Sequence, residues 1–187
     1  MTAAILTSAA FDDPDQALVR QAAAGDVKAF QRLFEIHHRR VYGLVLRLAG
    51  DVETAQDLTQ DVFIQLWNNL RSFRGESKFS TWLHTVATRV AITELRKHRR
   101  WFKRLSFSDD DSYQQELVHQ DSADLTELDV LISRLPPQTR WVFVLHCLEG
   151  MRHEDIAKEL GIAVGTSKAQ VHRARSLLEG WLSHDSQ

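Results

Sequence analysis

The side chains along one face of a C-terminal helix offer the clearest chemistry in this chain. From Val164 onward, a turn of about 100° per residue gathers Gly165, Ala169, His172, Arg173 and Ser176 on one side, with Lys168 on its flank. Small residues beside hydrogen-bond donors, with no carboxylate among them, suit a helix pressed into the major groove of DNA. Thr166, Lys168, Ala169, His172 and Arg173 are the candidate contacts. Arg175, nearer the core edge, is read as a phosphate contact or a snorkelling side chain. The same face would also serve as the solvated side of a helical hairpin, since such shapes occur without DNA.

A second group lies on an earlier helix, where Asp57, Gln60, Asp61 and Gln65 share one polar face. Two carboxylates one turn apart could hold a divalent cation or do acid–base work, but no pocket signal accompanies them. A solvated face is one reading and a docking surface the sharper one. The loop Ser72–Trp82 interleaves Phe73, Arg74, Lys78 and Phe79, with Ser80 beyond. Flat rings and cations in a loop suit unstacked bases, which need stacking surfaces and phosphate neutralisation. Downstream, Arg96, Lys97, Arg99, Arg100, Lys103 and Arg104 form the densest basic run, a fit to a phosphate backbone.

Metal and redox chemistry find less support. His37 and His38 are adjacent on a helix and point about 100° apart, so partly exposed, non-ligating histidines are expected. A small helical metalloenzyme would repeat Glu-x-x-His on facing helices, and Glu35–His38 has that spacing. No metal and no cofactor are expected. Cys147 is the single cysteine, so there is no internal disulfide, and its apolar helix predicts a packed thiol.

Helices must position all of these groups. Pro14 begins a helix that ends near Gly25; Asp26 caps the next, with Phe30, Leu33, Phe34, Val41, Leu44, Val45 and Leu48 at helical spacing until Gly50. Asp51 starts a third, burying Ala55, Leu58, Val62, Phe63 and Leu66. After the loop, Ser80 or Thr81 caps a helix that buries Leu83, Val86, Ala87, Val90 and Leu95. Leu105 to Ser133 is acidic and carries no Lys or Arg, and its first part lacks periodicity. Beyond it come a helix near Asp124–Arg134, a break at Pro136–Pro137, an apolar helix with Trp141, Val142, Val144, Leu145 and Leu148, and two closing helices. Those last two, with Ile156, Ala157 and Leu160 on the first and Gly161 in the turn, are spaced as a helix-turn-helix.

The fold expected is therefore all-α, with two helical domains joined by an acidic flexible linker and the helix-turn-helix in the second. Boundaries are expected at 1–13 (loose arm), 14–104, 105–123 (linker), 124–183 and 184–187 (tail). Hydrophobic content of 43% with 26% charged residues is ordinary globular composition. The formal net charge of −2 does not exclude nucleic acid, because the distribution of charge matters more than its sum. No apolar run approaches 18 residues, and the N-terminus lacks a basic segment followed by an apolar core. Neither membrane insertion nor a signal peptide is expected, and a cytoplasmic location is.

Two stretches resemble a known family. DLTQDVFIQLW followed by FRGESKFSTWL (Asp57–Leu83) is similar to the first domain of extracytoplasmic-function (ECF) sigma factors of bacterial RNA polymerase. LPPQTRWVFVLHCLEGMRHEDIAKELGIAVGTSKAQVHRAR (Leu135–Arg175) is similar to their second, helix-turn-helix domain. The resemblance implies a promoter-recognition factor rather than an enzyme, with core RNA polymerase and promoter DNA as partners and an anti-sigma factor as its regulator. It also implies that Asp57, Gln60, Asp61 and Gln65 dock on polymerase. The loop residues Phe73, Arg74, Lys78, Phe79 and Ser80, with His84, Thr88, Arg89 and Arg96 beyond them, would hold the melted −10 strand. Thr166, Lys168, Ala169, His172, Arg173 and Arg175 would read the −35 element, and the linker would thread toward the polymerase active centre. The chain departs from the family pattern at Arg89, Thr93 and Ser167, where Asn, Asp and Val are common. A stand-alone helix-turn-helix repressor is the other DNA-binding reading; it needs a dimerisation helix with a long apolar seam, and none is legible.

Overall fold

The computed structural model describes residues 13–105 and 126–184, with side chains described through residue 98 in the first stretch and residue 183 in the second. Among these residues every regular element is a helix. In order they are α1 (Gln16–Ala23), α2 (Val27–Ala49), α3 (Val52–Asn69), α4 (Phe79–Leu105), α5 (Glu127–Ser133), α6 (Pro137–Phe143), α7 (His153–Leu160) and α8 (Val164–His184). The expected loose arm and acidic linker fall, but for Asp13 and Leu105, outside the described residues, as does the tail after His184.

Local chemistry starts and stops the first helices as the sequence predicts. Asp26 Oδ1 accepts from the backbone N–H groups of Lys28 and Ala29 at 2.8 and 3.2 Å, satisfying two of the orphan donors at the start of α2. Asp51 Oδ1 does the same for Thr54 of α3 at 2.8 Å. Between them Gly50 takes φ +83°, a left-handed cap that residues with a Cβ adopt only at a cost. The start of α4 differs from expectation. The helix opens at Phe79 instead of after a Ser80 or Thr81 cap, because Asp13, far back in the chain, accepts from the Phe79 N–H at 2.6 Å.

Helices α1 to α4 pack around Leu33, Val45, Leu48, Val62, Leu66, Phe79 and Ile92, all essentially inaccessible to solvent. His37 is buried too, contrary to the expected exposure of that pair. Its ring N–H meets Asp15 Oδ2 at 2.9 Å, and the carboxylate is what allows a polar ring inside. In the second half, a capping box between Thr126 and Asp129 starts α5, and Pro137 occupies the first position of α6. A π-helical turn, Val144–Leu148, then widens the end of α6. Cys147 and Leu148, expected in the core, are exposed as a result, whereas Val144 and Leu145 remain buried. Helix α8 runs through Gly180 to His184.

The two halves touch along the C-terminal part of α2. Its last carbonyls have no partner within the helix, and the second half supplies donors for them. Arg140 Nη2 donates to Ala49 O at 2.5 Å, Arg140 Nε to Leu48 O at 3.2 Å, and Trp141 Nε1 to Leu48 O at 3.0 Å. A third guanidinium bond, 2.7 Å to Ser133 O, ties the same group to its own half. Burial pushes the Arg140 pKa down to about 10, against the nearby Asp51 charge that favours the cation. A Cβ on Gly50 would overlap this guanidinium, so glycine is needed there for space as well as for φ. Beside it, Arg47 Nε donates to Asp129 Oδ1 at 2.7 Å.

Candidate nucleic-acid interface and docking face

The turn between α7 and α8 is built as a helix-turn-helix requires. Gly161 ends α7 in the left-handed region (φ +66°), and its N–H returns to Ala157 O. Buried Ile156, Leu160, Val171, Ala174 and Leu178 hold the two helices together. Thr166, Lys168, Ala169, His172, Arg173 and Arg175 are all exposed on α8. Arg175 stands in solvent and not at the core edge. Ser167, the polar departure, is fully buried, and its hydroxyl shares a 2.9 Å hydrogen bond with His153 Nδ1. That ring stacks on His146 at 4.0 Å, and His146 Nδ1 donates to Met151 O at 2.9 Å. Burial, followed by the charges of His146 and Lys168, lowers the His153 pKa, against Glu154, which raises it.

Asp57, Gln60, Asp61 and Gln65 are exposed along α3 as expected. Asp57 and Gln60 border a groove of about 1330 Å³ that is lined by Phe30, Phe63 and Trp67 of α2 and α3 and runs on to His84, Asp129, Leu148 and Glu149. The rings pack edge to face, with Phe30–Trp67 centroids 4.8 Å apart and Phe34–Phe63 4.6 Å. Two apolar members of this surface were not foreseen. Phe34, read as core, is 37% exposed, and Ile64 is 52% exposed one turn beyond Gln60. An isoleucine out of the apolar register of α3 was the available signal. Among the described residues no group of three or more His, Cys, Asp or Glu side chains could hold a metal ion.

The third set is only partly assembled. Arg74 and Lys78 are exposed, Ser80 and Phe73 half-buried. Phe79 is not available to a base: it is fully buried, between His37, Phe73 and Trp82, with ring centroids 5.4, 5.7 and 6.1 Å away. A ring at the first turn of α4, with its N–H capped from below, points into the core. Thr88 is buried as well, so it too drops out of the candidate contacts. The remaining positions on α4 all meet the second half of the chain. His84 Nε2 lies 2.7 Å from Glu149 Oε2, Arg89 Nε 3.5 Å from Glu159 Oε2, and Arg96 Nη1 donates to Glu159 O at 3.4 Å. The hydrogen bond from His84 holds the Glu149 carboxyl below the usual range against the effect of burial, helped by Arg47 and Arg40.

Comparison with known proteins matches both halves. The family model for Sigma-70 region 2 covers residues 33–101, and that for Sigma-70 region 4 covers residues 125–178. The chain is 30% identical over 179 residues to the RNA polymerase sigma-H factor of Pseudomonas aeruginosa, spanning 89% of this chain and 93% of that protein. It is 32% identical over 177 residues to the ECF RNA polymerase sigma-E factor of Haemophilus influenzae, with 88% and 93% covered. The ECF RNA polymerase sigma factor SigE of Mycolicibacterium smegmatis is 31% identical over 172 residues, 88% of this chain, which spans 66% of that longer protein. Among solved structures, the sigma factor RpoE of Bartonella quintana, in complex with the anti-sigma factor NepR, aligns over 84% of this chain and 98% of its own. The TM-score is 0.56 and the identity 26%. With two helical halves in this order, an outward polar face on α8 and two relatives of 30% identity or more matched over 93% of their length, the chain belongs to the extracytoplasmic-function sigma factors of bacterial RNA polymerase.

Proposed function

We propose that this sigma factor docks on core RNA polymerase through Asp57, Gln60, Asp61 and Gln65, and that Phe34 and Ile64 add apolar area to the same contact. The Phe73–Ser80 loop, with Arg74 and Lys78 exposed, and the α4 face carrying His84, Arg89 and Arg96 hold the melted −10 strand. Thr166, Lys168, Ala169, His172, Arg173 and Arg175 contact the −35 element, with Arg175 on a phosphate. Phe79 supports the loop from beneath. The chain acts by binding and catalyses no reaction of its own. It works in the cytoplasm, and among the described residues no helix is long and apolar enough to cross a membrane. The Bartonella relative is bound to an anti-sigma factor, and a partner of that class is proposed here.

The observation that carries this reading is the exposed polar row on α3, bordering an aromatic-floored groove within the region 2 match. Its test is co-purification of core RNA polymerase with the tagged chain. Replacing Asp57, Gln60 and Asp61 together by Ala is expected to reduce captured polymerase by about tenfold or more, as loss of clustered interface anchors does. Undiminished capture by the triple variant would remove the docking face. Failure of the wild type to capture polymerase, combined with tight DNA binding alone, would favour the repressor.

A further inference from the structure

His153 is the first residue of α7, and its ring reaches across to the first turn of α8. There Nδ1 lies 2.9 Å from the hydroxyl of Ser167, a side chain with no access to solvent. A hydroxyl sealed inside a domain needs a partner, and His153 supplies it across the helix-turn-helix. The same ring stacks on His146 of the π-helical turn, with centroids 4.0 Å and planes 25° apart, and His146 Nδ1 donates to Met151 O at 2.9 Å. The π-helical turn, α7 and α8 therefore meet on one imidazole.

The surroundings of that ring disfavour a positive charge. A cation at the first residue of a helix opposes the helix dipole, and His153 both starts α7 and bonds to the first turn of α8. Desolvation acts in the same sense, as do the charges of His146 and of Lys168 on α8, while Glu154 opposes them. Of the charged residues next in sequence, Glu149 is held by His84, and Arg152 and Asp155 are exposed.

We infer that His153 is a positioning residue for −35 reading: through Ser167 it fixes the start of α8 against α7, and its stacking on His146 makes that hold one that acid releases. The inference rests on the proposed −35 role of α8. A ring that resists protonation in the folded chain contributes its hold in full above the ordinary histidine value, and the hold is lost as pH falls below it. Release leaves the Ser167 hydroxyl buried without its partner and lets α8 shift on α7. Lys168 and Arg173 then no longer meet the groove at a fixed spacing.

The test uses the full chain assembled with core RNA polymerase, and a fluorescent duplex selected from a randomised pool by the wild-type holoenzyme at about pH 8. Binding is followed down to about pH 5.5, across the histidine range, for wild type, His153→Asn, Ser167→Ala and Lys168→Ala/Arg173→Ala. Asparagine places an amide near the position of Nδ1 but does not titrate, so it keeps the bond and discards the response to acid. His172, exposed on α8, titrates in every variant and drops out of the comparison. Expected is wild-type binding that weakens by about fivefold or more in acid relative to His153→Asn, with Ser167→Ala already weaker than wild type at pH 8. Parallel pH profiles for wild type and His153→Asn, or wild-type binding that tightens in acid relative to that variant, would overturn the inference. So would a Ser167→Ala holoenzyme that binds as wild type does at pH 8. Should Ser167→Ala fail to fold, as circular dichroism would reveal, the profile of His153→Asn still decides, since its expected result is retained binding. The Lys168→Ala/Arg173→Ala arm separates the two readings: weak binding throughout keeps the −35 assignment whatever His153 does, and undiminished binding refutes that assignment and the inference with it.

Discussion

Replacing Arg140 by Met removes a buried cation while keeping most of its volume, so the loss isolates the polar contacts between the halves. The guanidinium is 3% exposed and makes hydrogen bonds to Leu48 O, Ala49 O and Ser133 O. Hydrogen bonds from a charged donor contribute about 1.5–3 kcal/mol each. Burial acts against them: a pKa pushed down to about 10 corresponds to about 3 kcal/mol against the charged form. The bonds therefore win. In the Met variant Leu48 O keeps Trp141, but Ala49 O and Ser133 O lose their donor, at about 1–3 kcal/mol apiece. A net destabilisation of about 2–5 kcal/mol follows, equivalent in a chain of this size to a fall in Tm of roughly 5–15 °C. Urea unfolding followed by tryptophan emission and by far-ultraviolet circular dichroism measures it directly, with Trp141 reporting from the site. Gly50→Ala approaches the same guanidinium from the first half, so the two substitutions should be strongly non-additive. An unchanged midpoint for Arg140→Met, or full additivity with Gly50→Ala, would mean that water already satisfies those carbonyls and that the described contact does not form in solution.

Three further outcomes are expected. Phe79→Ala should cost about 3–5 kcal/mol in thermal or urea unfolding, as deletion of a buried ring does; a variant of normal stability that failed only in strand binding would return Phe79 to the DNA surface. Because the folded pKa of Glu149 is depressed, its contribution is fully present above the ordinary glutamate value and is lost as pH falls through the lowered one. The stability gap between wild type and Glu149→Gln should thus shrink as pH falls below the ordinary glutamate value, and a gap that widened there would contradict the His84 contact. Lys168→Ala/Arg173→Ala should weaken promoter-dependent transcription by about 5–150-fold, the range for one or more lost base contacts, while leaving polymerase capture intact; equal loss of both would point to misfolding of α8.

Much of the fold was legible because the signals were local. Asp26, Asp51, Gly50 and Gly161 act within a few residues of where they stand, and each ends or starts a helix where its type predicts. The exposure of the polar face of α8 was legible for the same reason, since a single helix fixes which side chains share a side. Phe79 was not. A ring interleaved with cations looks alike in sequence whether it stacks on a base or fills a core, and the Asp13 cap that turns it inward comes from another element. His37 depends likewise on Asp15, across the gap between α1 and α2. Farthest from reach were the contacts of Arg140, His84 and Arg89, whose partners lie in the other half of the chain. No periodicity encodes such pairs.

The π-helical turn at Val144–Leu148 has a consequence for chain length. Such a turn is an α-helix carrying one residue too many, held because the wider ring still closes its hydrogen bonds. Removing a single residue there would let the segment relax into an ordinary helix with little local damage. Everything after it would then rotate by about 100° relative to α6. Glu149 would leave His84, and α7 and α8 would re-aim as one body. The length of this short segment, more than any side chain in it, sets the direction in which α8 faces.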